Sequence, residues 1–152
     1  MFRKLNLESG MRLLDIGAGW GTVEQYCGSR GVQVTALDIR DHAEWFINNL
    51  IREQNLPCQV VEEDFLQHAP KEPYDAIVIL GVIEHSMNYR KFSEQVWKCL
   101  KPGGVLYLDA SATVEKFDGS PFFCKYIWPG THAYFMPAGS HPGVVISRFG
   151  RV

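Results

Sequence analysis

The stretch that most constrains this chain is Leu14-Asp15-Ile16-Gly17-Ala18-Gly19-Trp20-Gly21. An apolar run, Met11 to Ile16, reads as a strand and enters glycines spaced G-x-G-x-G. A helical pattern follows from Thr22 to Arg30, with Val23, Tyr26 and Cys27 on one face and Gly31 as the stop. Such a loop suits a nucleotide-like cofactor. Glycines turn sharply and let the backbone approach a ligand that a Cβ would exclude. The next helix offers unpaired N–H groups and a positive dipole end. Asp38 closes the following strand signal, Val32 to Leu37. Its distance from the loop, about 20 residues, suits a carboxylate that grips a ribose diol.

Strand and helix signals alternate through most of the remaining chain. Asp41 reads as an N-cap with Glu44 completing a capping box, and Ala43, Phe46, Ile47, Leu50 and Ile51 form an amphipathic stripe. Pro57 breaks the chain, and Cys58 to Val61 is the third strand. Tyr74 to Leu80 has the continuous apolar character of a central parallel strand. Asn88 to Leu100 is a helix with Phe92, Val96, Cys99 and Leu100 inward. Lys101-Pro102-Gly103-Gly104 stops it, and Val105 to Leu108 is strand five. Ser111 to Lys125 reads as partly helical, and Val144 to Phe149 as one more strand. The series predicts one α/β domain over residues 1–152, a Rossmann-like, doubly wound, mostly parallel sheet with right-handed crossovers. Its core spans 5–112, followed by an irregular aromatic, Gly- and Pro-rich segment over 113–152. Ligands of such sheets bind at the carboxyl ends of the strands. Here those ends carry Gly17 to Gly21, Asp38 with Ile39, Asp64, Gly81 to His85, and Asp109.

Composition narrows the function classes. The chain has 152 residues and a formal net charge of -2, so bulk electrostatics do not favour nucleic acid. There is no apolar run of membrane-spanning length and no signal-peptide pattern. The cysteines Cys27, Cys58, Cys99 and Cys124 form no C-x-x-C pair, which predicts reduced structural thiols in a cytoplasmic protein and no metal site.

Asp15-Ile16-Gly17-Ala18-Gly19-Trp20-Gly21 resembles motif I of class I S-adenosylmethionine-dependent methyltransferases, and Leu100-Lys101-Pro102-Gly103-Gly104 is similar to a second mark of that class. Three features resemble the cyclopropane fatty acid synthase group within it: Trp20 between glycines, the pair Glu84-His85, and Lys125-Tyr126-Ile127-Trp128-Pro129-Gly130. The resemblance covers residues 5–137, and against that group the chain looks truncated at both ends, with the last strands incomplete.

The resemblance implies S-adenosylmethionine as cofactor. Gly17, Gly19 and Gly21 would bring the backbone against its amino-acid part, with Trp20 as a lid. Asp15 would orient the loop and the cofactor's ammonium. Asp38, with Ile39 beside it, would accept from the ribose hydroxyls. Asp64 would accept from the adenine amino group while Phe65 sandwiches the ring, and Gly81 lies on the same rim. Glu84 stands where family members help hold a bicarbonate, and Asp109 stands where they have a histidine. An anion flanked by ionised Glu84 and Asp109 would be repelled. Either one of these carboxyls is protonated, or one acts as the base. Family members usually carry an uncharged polar residue at the position of Asp38.

The implied activity is methyl transfer to carbon of an unsaturated fatty-acyl or lipid-like substrate, with Glu84 and Asp109 as the catalytic candidates. Two alternatives stay open: a small-molecule O- or N-methyltransferase of the same class, and a non-catalytic cofactor-binding module completed by a second copy or another chain. The implied partners are a small-molecule or lipid substrate and a peripheral membrane surface. Plain structural readings stand beside these. Asp64 also reads as a solvated loop carboxylate, Glu84-His85 and Asp109 as helix caps, Trp20 as a surface aromatic, and Tyr126, Trp128 and Tyr134 as core. With five strands only, Val105, Leu106 and Leu108 would lie on an open sheet edge.

Overall fold

The structure, a computed structural model, describes residues 2–39, 41–113, 136–137 and 145–148. It opens with a single helical turn, α1 (Phe2–Leu5), before β1 (Arg12–Ile16). The glycine loop leads into a turn of π-helix, Glu24–Gly28, and then β2 (Gln33–Asp38), α2 (Asp41–Gln54) and β3 (Cys58–Glu62). A 3-10 turn, Phe65–Gln67, precedes β4 (Tyr74–Leu80), and a second, Ile83–His85, precedes α3 (Tyr89–Cys99). β5 (Leu100–Asp109) follows directly, then β6 (Ala112–Thr113), β7 (Met136–Pro137) and β8 (Val145–Arg148).

The main sheet runs β3-β2-β1-β4-β5-β8, with the first five strands parallel and β8 antiparallel. Chain order reverses between β1 and β4, which opens a crevice beyond their carboxyl ends. Alternation along the strands divides the core. Leu14, Ile16, Ile77 and Ile79 face Phe92 and Val96 of α3, whereas Leu13, Val34, Ala76 and Val78 face Val23 and Cys27. Ile47 of α2 packs on Ala18 and Ala36. Helices on both faces explain why β4 is buried continuously from Ala76 to Ile79.

Several expectations change. Thr22 to Arg30 is not a regular α-helix but contains the π-turn, which buries Val23 and Cys27 as expected and also Glu24 and Gly28. Tyr26 turns outward, its ring under the Arg30 guanidinium at 3.7 Å. α2 begins at Asp41, and the side chains of Asp41 and Ala43 lie outside the described set. Within its stripe Ile47 is fully buried, whereas Phe46 is exposed and meets Trp20 edge-on at 5.3 Å. Asn88 caps α3 as its polarity suggests, accepting from the Lys91 N–H at 3.0 Å.

Strand five starts earlier than the Lys-Pro-Gly-Gly stop suggests. Leu100 already pairs with Tyr74, and the register slips before Ala76 pairs with Val105. Gly103, at φ +78°, makes the bulge. Asp75 fastens its base: one carboxylate oxygen accepts from the Arg12 N–H at 2.8 Å and the other meets Lys101 Nζ at 2.7 Å. The expected open edge is also corrected, since β8 pairs with Val105 to Leu108 within the expected Val144 to Phe149 segment. Residues 112–113 are strand where helix was expected, pairing in parallel with 136–137. The rest of Ser111 to Lys125, the Lys125 to Gly130 motif, and Tyr126, Trp128 and Tyr134 lie outside the described residues.

Candidate active site

The glycine loop is shaped by three different demands. Gly17 has φ +75°, and a Cβ there would stand 2.3 Å from Val82 Cγ2. Gly21 has φ +74° and backs tightly onto α2, where a Cβ would stand only 3.0 Å from Leu50 Cδ2 and 3.2 Å from Ile47 Cγ1. Gly19, at φ +55°, faces open space, its imaginary Cβ meeting only Gly17 O at 3.9 Å. A ligand therefore reaches the backbone at the middle glycine, while the outer two fix the loop to its surroundings.

The loop's N–H groups are not the anion cradle that its sequence suggests. Gly17 and Ala18 donate to Leu37 O at 2.7 and 3.4 Å, and Gly21 donates to Ala18 O at 3.0 Å. Gly19 donates to Asp38 Oδ2 at 3.2 Å. Beneath these engaged donors lie buried Asp15 and Glu24. Burial, then the charge of Glu24, pushes the Asp15 carboxyl well above the usual range. Burial raises Glu24 to about 7. The two carboxyls lie within hydrogen-bonding reach and shift each other, and neither Glu24 oxygen meets a fixed donor among the described residues. Satisfied donors above buried acids disfavour a pyrophosphate and suit a cationic ligand group.

Next to the loop, a cleft of about 490 Å³ crosses the carboxyl ends of β1, β2 and β3. Gly17, Asp38, Ile39, Asp64 and Phe65 line it, with Leu66, Val82, His85 and Met87 among the other walls. Asp64 is exposed and one of its oxygens caps the 3-10 turn, accepting from the Leu66 N–H at 2.9 Å. The Phe65 ring is mostly buried against Phe92, at 4.8 Å between centroids. Ile39 is 71% exposed, an apolar side chain held in solvent at the cleft rim.

Glu84 and Asp109 stand on the neighbouring strand ends. Glu84 is 1% exposed in the 3-10 turn after β4. Its Oε1 accepts from the Ser111 N–H at 2.5 Å, and its Oε2 has no partner among the described residues. Asp109 is exposed, and its carbonyl accepts from the Gly81 N–H at 3.0 Å. The segment bearing Glu84 and the end of β5 are thus tied together by one side-chain-to-backbone and one backbone hydrogen bond. Asp15, Gly19, Trp20, Gly21 and Gly81, with these two acids, lie outside the lining of the 490 Å³ cleft. Trp20 is 75% exposed and leans edge-on against Phe46.

Sequence reading missed Glu24. Its signal was a carboxylate between Val23 and Cys27, on the side of the turn that faces the sheet. It also missed a polar chain under β4. His68 lies between Glu63 Oε2 at 2.9 Å and the Tyr74 hydroxyl at 3.1 Å, and Gln95 donates to the His68 carbonyl.

A family model described as "Mycolic acid cyclopropane synthetase" matches residues 1–140. The chain is 30% identical over 142 residues to "Sphingolipid C9-methyltransferase B" of Emericella nidulans, covering 86% of this chain and 28% of that protein. It is also 30% identical over 140 residues to the mitochondrial "Ubiquinone biosynthesis O-methyltransferase" of Rattus norvegicus, covering 88% of this chain and 39% of that protein. Its structure superposes on a cyclopropane synthase of Mycobacterium tuberculosis with a TM-score of 0.73 at 28% identity, over 88% of this chain and 53% of that one. The fold is therefore that of the class I methyltransferases. The chain spans between about a quarter and two fifths of the length of these curated relatives.

Proposed function

Because this chain belongs to the mycolic acid cyclopropane synthetase family, we propose that it binds S-adenosylmethionine and transfers its methyl group to a carbon of an unsaturated acyl or similar lipid-like acceptor. The observation that carries the cofactor reading is the single cleft that gathers Gly17, Asp38, Ile39, Asp64 and Phe65 at the strand ends. The donor set fits. Gly19 leaves room for close approach, Asp38 lies beside it, and Asp15 with Glu24 places two buried acids below the loop that can meet a cationic group. Asp38 would take the ribose hydroxyls, exchanging its bond to the Gly19 N–H for them. Ile39, Phe65 and Leu66 would flank the adenine, with the second oxygen of Asp64 turned to its amino group. When bound, the cofactor supplies an electrophilic methyl on a sulfonium. The protein's share is to align the acceptor with that methyl and to exclude water.

Glu84 would act on the acceptor. Its Oε1 is fixed by Ser111, which leaves Oε2 as a buried acceptor for a proton or a stabiliser of positive charge. Asp109 would assist from the end of β5. A bicarbonate here would need one of these acids protonated. Support for carbon as the acceptor comes from the "C9-methyltransferase" relative. The O-methyltransferase relative supports a second reading, in which positioning alone suffices and neither acid is needed.

Two measurements test this. Calorimetric titration with S-adenosylhomocysteine should give micromolar binding, about −8 kcal/mol, and Asp38→Ala should weaken it at least about tenfold, roughly one charge-assisted hydrogen bond. Absence of binding by a folded chain would defeat the cofactor reading. Methyl transfer from labelled cofactor to vesicles of unsaturated phospholipid should fall about 10²–10⁴-fold in Glu84→Gln, the range of a lost acid–base group, and less in Asp109→Asn. Full turnover in both variants would favour the O-methyl reading.

A further inference from the structure

Glu24 is the feature of this molecule that the reading above leaves unused. It has no solvent exposure, and among the described residues neither carboxylate oxygen meets a fixed donor, so only a shared proton can bond it to Asp15. A carboxylate in that state is costly unless it is neutralised. It also lies against the cofactor loop, since a Cβ built on Gly21 would stand 3.8 Å from Glu24 Oε2. We propose that Glu24 is a positioning residue for the cationic end of the cofactor: with Asp15 it forms a buried carboxyl pair that keeps a proton until an ammonium docks on the loop, and then releases it.

The inference rests on the cofactor reading and adds to it a proton count and a pH dependence. The groups around the pair are few. Asp15 faces Glu24 from β1, and Asp38 acts on Asp15 from the end of β2. Cys27, on the same turn, has its thiol pushed up to about 12, chiefly by burial. Cys58, on β3, has its thiol raised to about 11 by burial and points to the Glu24 carbonyl at 3.8 Å. From α2 the neighbours at Gly21 are the apolar Ile47 and Leu50. Arg30 acts on the Cys27 thiol, but its guanidinium is held on the Tyr26 carbonyl and over the outward-turned Tyr26 ring, so no cation among these named groups balances a doubly ionised pair, and neutral thiols cannot. Two buried carboxyls that face each other without a fixed cation therefore hold at least one proton between them near neutrality. A cationic group arriving at the loop supplies the missing charge. One carboxyl O–H bond breaks, its proton passes to solvent, and the vacated carboxylate faces the ammonium.

The test is calorimetric titration of the whole chain with S-adenosylhomocysteine from pH 5.5 to 8.5, in buffers of different ionisation heat. The cofactor product carries the ammonium but no sulfonium, so the readout isolates this end of the molecule. The expected result is release of about one proton near pH 6 and affinity rising about tenfold per pH unit, levelling off above about 7. In Glu24→Gln the affinity should vary less than about threefold over the range, with proton release correspondingly reduced. A flat wild-type profile without proton release overturns the proposal, as does a Glu24→Gln variant with the wild-type slope. A purely structural Glu24 would change affinity without changing slope. Should Glu24→Gln lose its native circular dichroism, the wild-type proton count decides alone. Absence of binding at every pH, with a folded wild-type chain, is a different failure: it removes the cofactor reading and this inference with it.

Discussion

At the residue scale, Gly17 couples two parts of the site that are distant in sequence. Its positive φ already disfavours a side chain, and a Cβ would enter the van der Waals shell of Val82. Val82 precedes the turn that carries Glu84, so the cofactor loop and the catalytic candidate share one packing contact. Gly17→Ala should destabilise the chain by about 2–4 kcal/mol, combining left-handed backbone strain with overpacking. Adding Val82→Ala should recover part of that loss. Chemical denaturation of the single and double variants checks it, and no recovery would mean that the strain is all in the backbone. Asp38 shows a different economy. Its bond to the Gly19 N–H holds the loop at the point where a Cβ has most freedom, so the same carboxylate both shapes the loop and waits for a ligand.

At the element scale, the bulge in the first half of β5 governs how the fifth strand enters the sheet. Gly104 sits in it with no room for a side chain, a Cβ standing 2.9 Å from Lys101 O and 3.1 Å from Asp75 O. Both are backbone atoms and cannot step aside. Gly104→Ala should therefore cost about 1–3 kcal/mol, read as a shifted urea midpoint with an unchanged slope. The bulge also marks where sequence reasoning runs out. The glycines near 103 announce a stop, but nothing local says that Leu100 has already paired with Tyr74, a contact set by tertiary register. Strands β1, β2 and β4 could be read from apolar runs because they are covered on both faces, whereas β3, an edge strand with no fully buried residue, was marked by the break at Pro57. The turn at Glu24 could not, because one additional residue per turn changes which side chains face inward, and an inward Glu contradicts the usual hydrophobic pattern. Of the site, the strand-end positions were readable from topology. The engagement of the loop's own N–H groups was not, because it depends on where β2 presents Leu37 O.

At the scale of the whole molecule, the buried acids leave a signature on global stability. Glu24 and Asp15 both bind protons more tightly in the folded chain than in an unfolded one. The folded state thus gains stability from them at low pH and loses it as pH rises from about 4.5 through about 7. The thermal midpoint of the ligand-free chain should fall between pH 5 and pH 8, by the equivalent of about 1–3 kcal/mol, and Glu24→Gln should show a smaller fall. Scanning calorimetry across that range checks the sign, and a midpoint rising with pH in both forms would refute it. The sheet order has a further consequence. β1 finds β2 close by along the chain, Arg12 opposite Gln33, but its other neighbour is remote, Leu13 opposite Ala76. During synthesis the segment from β1 to β3 leaves the ribosome before β4, with the innermost edge of the future sheet bare. Until Leu80 has cleared the exit tunnel, that edge of alternating Leu13, Leu14 and Ile16 is a template for any other strand, and the nascent chain is a natural client for a chaperone.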